Sequence, residues 1–191
     1  MHKGRLEAFS DAVIAIILTI MVLELRPPHA VTLHSLRSVL PVFCSYALSF
    51  VNLAIYWNNH HHMLQSAKHV NGAVLWANMH LLFWLSLVPF TTAWLGENEL
   101  SPVPAGAYGV VLMGAGVAYF ILTLTLIRAN GKDSEIARAL GKDFKGKISV
   151  AIYAVAIGLA VLAPAASCGL YLLVALIWLI PDRRFEPKVE G

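Results

Sequence analysis

The sequence predicts an all-α, polytopic membrane protein, and three observations carry that prediction. Of its 191 residues, 58% are hydrophobic and 13% are charged, where a soluble domain carries about a quarter charged residues. The mean hydropathy is +0.68. Apolar runs long enough to cross a bilayer, roughly 20 residues each, fill most of the chain. They leave no room for a separate soluble domain, so residues 1–191 are expected to form a single transmembrane unit.

Six spans are expected. The first runs from Leu6 to Leu25 and stops at Arg26-Pro27-Pro28, because proline cannot continue a helix. Lys3 and Arg5 precede it as they would in a secretion signal. The run is long, however, holds Asp11, and lacks a small-residue cleavage site near Glu24-Leu25-Arg26, so a retained helix is expected. The second span runs from Leu36 to Trp57 and ends in Asn58-Asn59-His60-His61-His62. The third runs from Val70 to Trp94, before Gly96-Glu97-Asn98-Glu99. The fourth covers Val103 to Ile127, and the fifth Lys147 to Leu162, with Pro164 marking its end. The sixth covers Ala165 to Ile180 and closes at Pro181-Asp182-Arg183-Arg184. Gly114 with Ala118, and Ala154 with Gly158, have the small-xxx-small spacing that lets helices approach closely, read as packing within one subunit.

Loop charges orient these spans. With six of them, one side holds Lys3, Arg5, Lys68, Arg128, Lys132, Arg138, Lys142, Lys145, Lys147, Arg183, Arg184 and Lys188. The other side holds Arg26 and Arg37 with the acidic Glu97 and Glu99. Twelve basic residues against two place both termini in the cytoplasm of a multi-pass cell-membrane protein. The net charge of +3 therefore belongs to loops and headgroups, and no nucleic-acid partner is expected. Cys44 and Cys168 lie inside apolar runs and read as small packing residues.

The polar residues inside the spans are the candidate functional ones. Asp11 lies about 8 Å into the first span at 1.5 Å per residue. A carboxylate costs about 2.5 kcal/mol or more at the bilayer centre and less nearer the interface, so it needs a partner, a proton or water. Ser10 is beside it. Arg5, six positions away, is not on the same helix face. The second span brings His60 and His61 to the level of Asp11, and the third span starts there with Asn71 and Asn78. A polar cluster joining three helices is expected, either as part of a permeation pathway or as a structural clasp. Consecutive histidines on a helix point different ways, so no metal site is expected. Ile16, Ile20 and Leu23 share one face of the first span, with Thr19 flanking it and able to bond the carbonyl four residues back. Such a stripe is lipid-facing, core, or a hydrophobic constriction that gates a pore by dewetting. No TVGYG filter, phosphate loop, HExxH, GxSxG or regular arginine array is present, so neither an enzyme nor a voltage sensor is expected.

The run Arg5-Leu6-Glu7-Ala8-Phe9-Ser10-Asp11-Ala12-Val13-Ile14-Ala15-Ile16 resembles the RxxxFSDxxxxI signature of the transmembrane protein 175 family. These are potassium-permeable channels of animal lysosomes and bacterial plasma membranes. The six-span layout and Trp57-x-x-His60-His61 are also similar to that family. The resemblance implies a channel without a P-loop whose first helices line the pore. A single unit of this length is similar to the bacterial type, which implies a homotetramer. The family's constriction falls on Ile16, further pore-facing positions on Ile20 and Leu23, and a threonine near the narrow region on Thr19. Arg5, Phe9, Ser10 and Asp11 match the residues that tie the first helix to its neighbours; Trp57, from the similar end of the second span, and Asn78, from the polar cluster expected above, are added to that interhelical network. The partner histidine stays open between His60 and His61.

The function expected is thus a potassium-permeable cation channel, modestly selective for potassium over sodium. No cofactor is expected, and potassium is the permeant ion. The rival reading is a proton-linked secondary transporter using Asp11 and the nearby histidines. The spans lack the paired broken helices of a midplane substrate site, which weighs against it.

Overall fold

The computed structural model describes residues 3–28, 31–98, 100–141 and 143–179, and within them all regular structure is helical. Glu99, Lys142, the end of the sixth span at Ile180, and the closing Pro181-Asp182-Arg183-Arg184 with Lys188 lie outside the described residues. The helices are α1 (Lys3–Leu23), α2 (Leu33–Gln65), α3 (Gly72–Ser86), α4 (Val88–Glu97), α5 (Pro102–Asn130), α6 (Glu135–Leu140), α7 (Phe144–Leu159) and α8 (Pro164–Leu179). Four segments are long and apolar enough to cross a membrane: α1, α2, α3 with α4, and α5. The helices α7 and α8 have 16 residues each, about 24 Å at 1.5 Å per residue, and pack together as a shorter hairpin. Six segments result, as expected, but several bounds differ.

The second span is much longer than expected, running to Gln65. The histidines therefore lie inside the helix rather than after it, because nothing in Asn58 to His62 breaks a helix. Thr32 caps its start, its hydroxyl accepting from the Ser35 amide. The third span is not continuous. It breaks at Leu87, because Pro89 contributes no amide hydrogen and fits only the first turn of a new helix. The fifth span starts at Phe144, earlier than expected, with Asp143 as its cap, and ends at Leu159. Between it and α5 lies α6, which the hydropathy pattern did not announce. The turns around it use Gly131 and Gly141 at positive φ, 94° and 50°.

Two buried clusters hold the bundle. One is built from α1, α2, α3 and α5 around Leu53, Leu81, Ala115 and Leu122. The other joins α4, α5, α7 and α8 around Tyr108, Tyr153, Ala156 and Tyr171. Gly114 lets the ring of Trp84 lie directly on α5, where any side chain would collide with it, and Ala118 is fully buried. Ala154 and Gly158 behave otherwise. Both are exposed, and a Cβ at Gly158 would meet nothing. The packing face of α7 is instead Ser149, Tyr153 and Ala156.

Loop contacts place several helix ends on one side. Lys3 Nζ donates to the Gln65 carbonyl, 2.8 Å, joining the start of α1 to the end of α2. The Asn130 Oδ1 at the end of α5 accepts from the amides of Lys68 and His69 just before α3. These ends carry the basic loops.

Candidate functional site

The first helix has two faces. Leu6, Ser10, Ile14, Ile17 and Met21, spaced by four, four, three and four, are buried against the subunit. Arg5, Phe9, Ile16, Ile20 and Leu23 turn outward. Ile16 is 56% exposed, Ile20 44% and Leu23 76%. Thr19 is exposed beside them, and its hydroxyl donates to the Ile16 carbonyl, 2.8 Å, three residues back rather than the expected four. A groove of about 730 Å³ runs between this face and α4, lined by Ile16, Ile20, Phe90 and Trp94, with Glu24 and Glu97 at one end.

The inward face carries the polar clasp. Ser10 Oγ donates to the Leu6 carbonyl, 2.9 Å, and accepts from Asn78 Nδ2, 2.9 Å. Asn78 Oδ1 pairs with His60 Nε2 at 2.7 Å. An amide oxygen only accepts, so His60 donates through Nε2. Ser10 and Asn78 are fully buried and His60 nearly so. One chain of hydrogen bonds thus joins α1, α3 and α2. Asp11 is held separately. Trp57 Nε1 donates to its Oδ1 at 3.0 Å, and the Trp57 ring stacks on His61 with centroids 5.9 Å apart.

This geometry sorts the residues that the sequence grouped together. His60 bonds Asn78, whereas His61 braces the indole that holds Asp11. Asn71 is not in the cluster, because its side chain caps α3 by accepting from the Val74 amide. Arg5 and Phe9 are not in it either. They sit one turn apart on the outward face, and Arg5 has no hydrogen-bond or ion-pair partner among the described residues. Ser10 is sealed in the subunit core, so it cannot line a water-filled vestibule. Among the described residues no cluster of metal-ligating side chains is present.

Residues 5–89, which include Ile16, Ser10, His60 and Asn78, match the family model described as endosomal/lysosomal potassium channel TMEM175. The chain is 49% identical over 190 residues to a potassium channel of Chryseobacterium sp. strain P1-3, covering 100% of this chain and 99% of the relative. It is 29% identical over 189 residues to a potassium channel of Chamaesiphon minutus, covering 92% of each. The chain belongs to the TMEM175 potassium channel family. Its fold matches the crystal structure of a lysosomal potassium-selective channel TMEM175 homolog from Chamaesiphon minutus, with a TM-score of 0.83. That match has 27% identity and covers 94% of this chain and 97% of the other. It is a membrane protein of a non-enzymatic family.

This TMEM175-family chain also holds buried polar contacts that the sequence did not single out. Ser49 Oγ lies 2.7 Å from Thr92 Oγ1 and 2.9 Å from Tyr108 OH, joining α2, α4 and α5. Tyr171 OH donates to the Ala105 carbonyl, 3.1 Å, and accepts from Ser167 Oγ, 3.0 Å, tying α8 to α5. Hydroxyls in apolar runs carry little signal, because each can satisfy itself on its own helix.

Proposed function

We propose that this chain is a potassium-permeable cation channel that works as a homotetramer, with α1 of each subunit facing a central axis. The observation that carries this reading is the two-faced first helix. Its inward face is satisfied within the subunit, while Ile16, Ile20 and Leu23 are left exposed. Lipid accepts any aliphatic face, but this one has a second character. Ala8, Ala12, Ala15 and Thr19 form an exposed stripe of small residues along its edge, which suits close approach of another helix. The naming of relatives as potassium channels supports the same reading.

In this assembly Ile16, Ile20 and Leu23 form an aliphatic neck that conducts when the helices move apart and wet it. Thr19 offers the polar side chain beside the neck. Asp11 stands on the side of the N-termini, which the basic loops assign to the cytoplasm. Selectivity for potassium over sodium is modest, since the sequence holds no TVGYG loop whose carbonyls would replace the hydration shell. The polar clasp fixes the orientation of α1 and so the direction in which its aliphatic face points.

The test is potassium flux into liposomes carrying the purified chain. Flux is expected, and Ile16→Asn is expected to raise it or to weaken the preference for potassium. Absence of flux, together with no effect of Ile16→Asn, would overturn the channel reading. A proton-linked transporter gains no support from the geometry. His60 is bonded to Asn78 and the Asp11 carboxylate to an indole, so among the described residues no histidine is hydrogen-bonded to Asp11.

A further inference from the structure

A cavity of about 430 Å³ lies behind α2, between α5, α7 and α8, and none of its lining residues comes from α1. Its volume falls in the roughly 300–1,000 Å³ range of ligand pockets. The wall is apolar, formed by Ile55, Val117, Phe120, Val150 and Trp178. Val117, Phe120 and Val150 are also exposed, so the cavity opens toward the bilayer.

Several polar side chains line this cavity: Asn52, Tyr119, Thr123 and Ser149 bond within the protein, the hydroxyl-bearing Tyr56 and Tyr153 rings stand on its wall, and the amide and charged groups are arranged by depth. Asn59 stands on α2 about 9 Å along the axis from the helix end at Gln65. It is 8% exposed, it lines the cavity, and its side-chain amide has no hydrogen-bond partner among the described residues. An apolar occupant would leave that amide unsatisfied at a cost, so the occupant should carry an acceptor at this depth. At the mouth stand Asp143 and Lys147, one turn apart at the start of α7, with no ion pair between them among the described residues. Trp178 marks the same level. Its Nε1 donates to Ser149 Oγ, 2.9 Å, and the Lys145 ammonium lies 5.9 Å from its ring centroid. Tryptophan rings of this kind sit at the headgroup boundary.

A carboxylate and an ammonium at the mouth, an open amide below them and an apolar chamber beyond match one molecule class in order. We propose that the cavity binds one phosphatidylethanolamine, with its ammonium on Asp143, its phosphate on Lys147, a glycerol ester carbonyl on the Asn59 amide and an acyl chain in the chamber. Phosphatidylglycerol would bring only an anion to Asp143. Phosphatidylcholine has no N–H to donate to the carboxylate. The lipid would brace α7 and α8 against α2 without touching the first helix. This site rests on the membrane fold and not on the channel reading, so failed potassium flux would leave it standing.

The test uses the full chain, delipidated in detergent and reconstituted into nanodiscs that contain phosphatidylethanolamine, phosphatidylglycerol or phosphatidylcholine. Native mass spectrometry then reads the lipid retained per subunit. Phosphatidylethanolamine is expected to be retained about tenfold more strongly than the other two, the scale of one charge-assisted contact. Lys147→Gln is expected to lower its retention about tenfold. Asp143→Asn keeps an oxygen to accept from the Gly146 amide, which Asp143 does at 3.3 Å, and is expected to abolish the preference over phosphatidylglycerol. Val117→Trp, which fills the chamber, is expected to lower retention of all three. Should that variant fail to fold, the two charge variants at the mouth decide. Equal retention of the three lipids by the unaltered chain, or unchanged retention in both charge variants, would overturn the proposal.

Discussion

At Asn78 one amide serves two helices at once, giving a hydrogen bond to Ser10 on α1 and taking one from His60 on α2. Bonds between membrane helices average about 0.6 kcal/mol each, because the separated helices also find partners in the bilayer. Asn78→Ala removes two of them and leaves a buried imidazole and a buried hydroxyl without those partners. A loss of about 1–2 kcal/mol is therefore expected, measurable by denaturant titration of the protein in mixed micelles. Asn71→Ala gives the contrast. It should cost about 1 kcal/mol through loss of a helix cap, yet leave the orientation of α1 unchanged, which a spin label at Leu23 would report. The sequence was legible here only in part. A carboxylate, a serine, two asparagines and adjacent histidines in apolar spans announce polar company, since each needs a partner in a membrane. Which histidine joins Asn78 depends on rotation about α2, and adjacent helical residues point about 100° apart.

At the scale of elements, glycine shows how little spacing alone decides. Gly114 and Gly158 both sit in small-xxx-small pairs. Gly114 carries the ring of Trp84 against α5, whereas Gly158 has open space around its Cα. Gly114→Leu is expected to destabilise the α3–α5 contact by about 1–3 kcal/mol, and Gly158→Ala to change stability by less than about 0.5 kcal/mol. Thermal unfolding of both variants in one detergent checks the difference. If the two shift the melting temperature equally, the packing account of Gly114 fails. Element ends follow the same logic. Pro27 and Pro28 follow α1 closely, since nothing competes with them. Pro41, by contrast, lies within α2 without ending it. Pro89 splits the third span because it falls where a new first turn can begin.

For the whole molecule, charge has a defined place. Glu24 and Glu97 line the end of the groove beside Ile20, on the side opposite the N-terminus. In an assembly that turns α1 inward, carboxylates near that mouth raise the local concentration of cations. The double variant Glu24→Gln with Glu97→Gln is expected to lower potassium flux severalfold near 10 mM salt, where screening reaches only over about 30 Å, and to matter little near 1 M, where it acts within about 3 Å. Equal loss at both salt concentrations would assign these carboxylates a structural role instead.

The sequence by itself determined the class of molecule, its succession of apolar helices and the family. All three follow from local properties: hydropathy over a window, charge in loops, and a contiguous motif at Arg5 to Ile16. The tertiary structure alone decided which face of α1 is sealed. Ser10 and Asp11 are neighbours in the chain, yet one is fully buried on Asn78 while the other is held by Trp57. The physical reason is that helical periodicity defines two faces of comparable hydropathy in an apolar segment. Only the hydrogen-bond partners on α2 and α3 choose which of them turns inward.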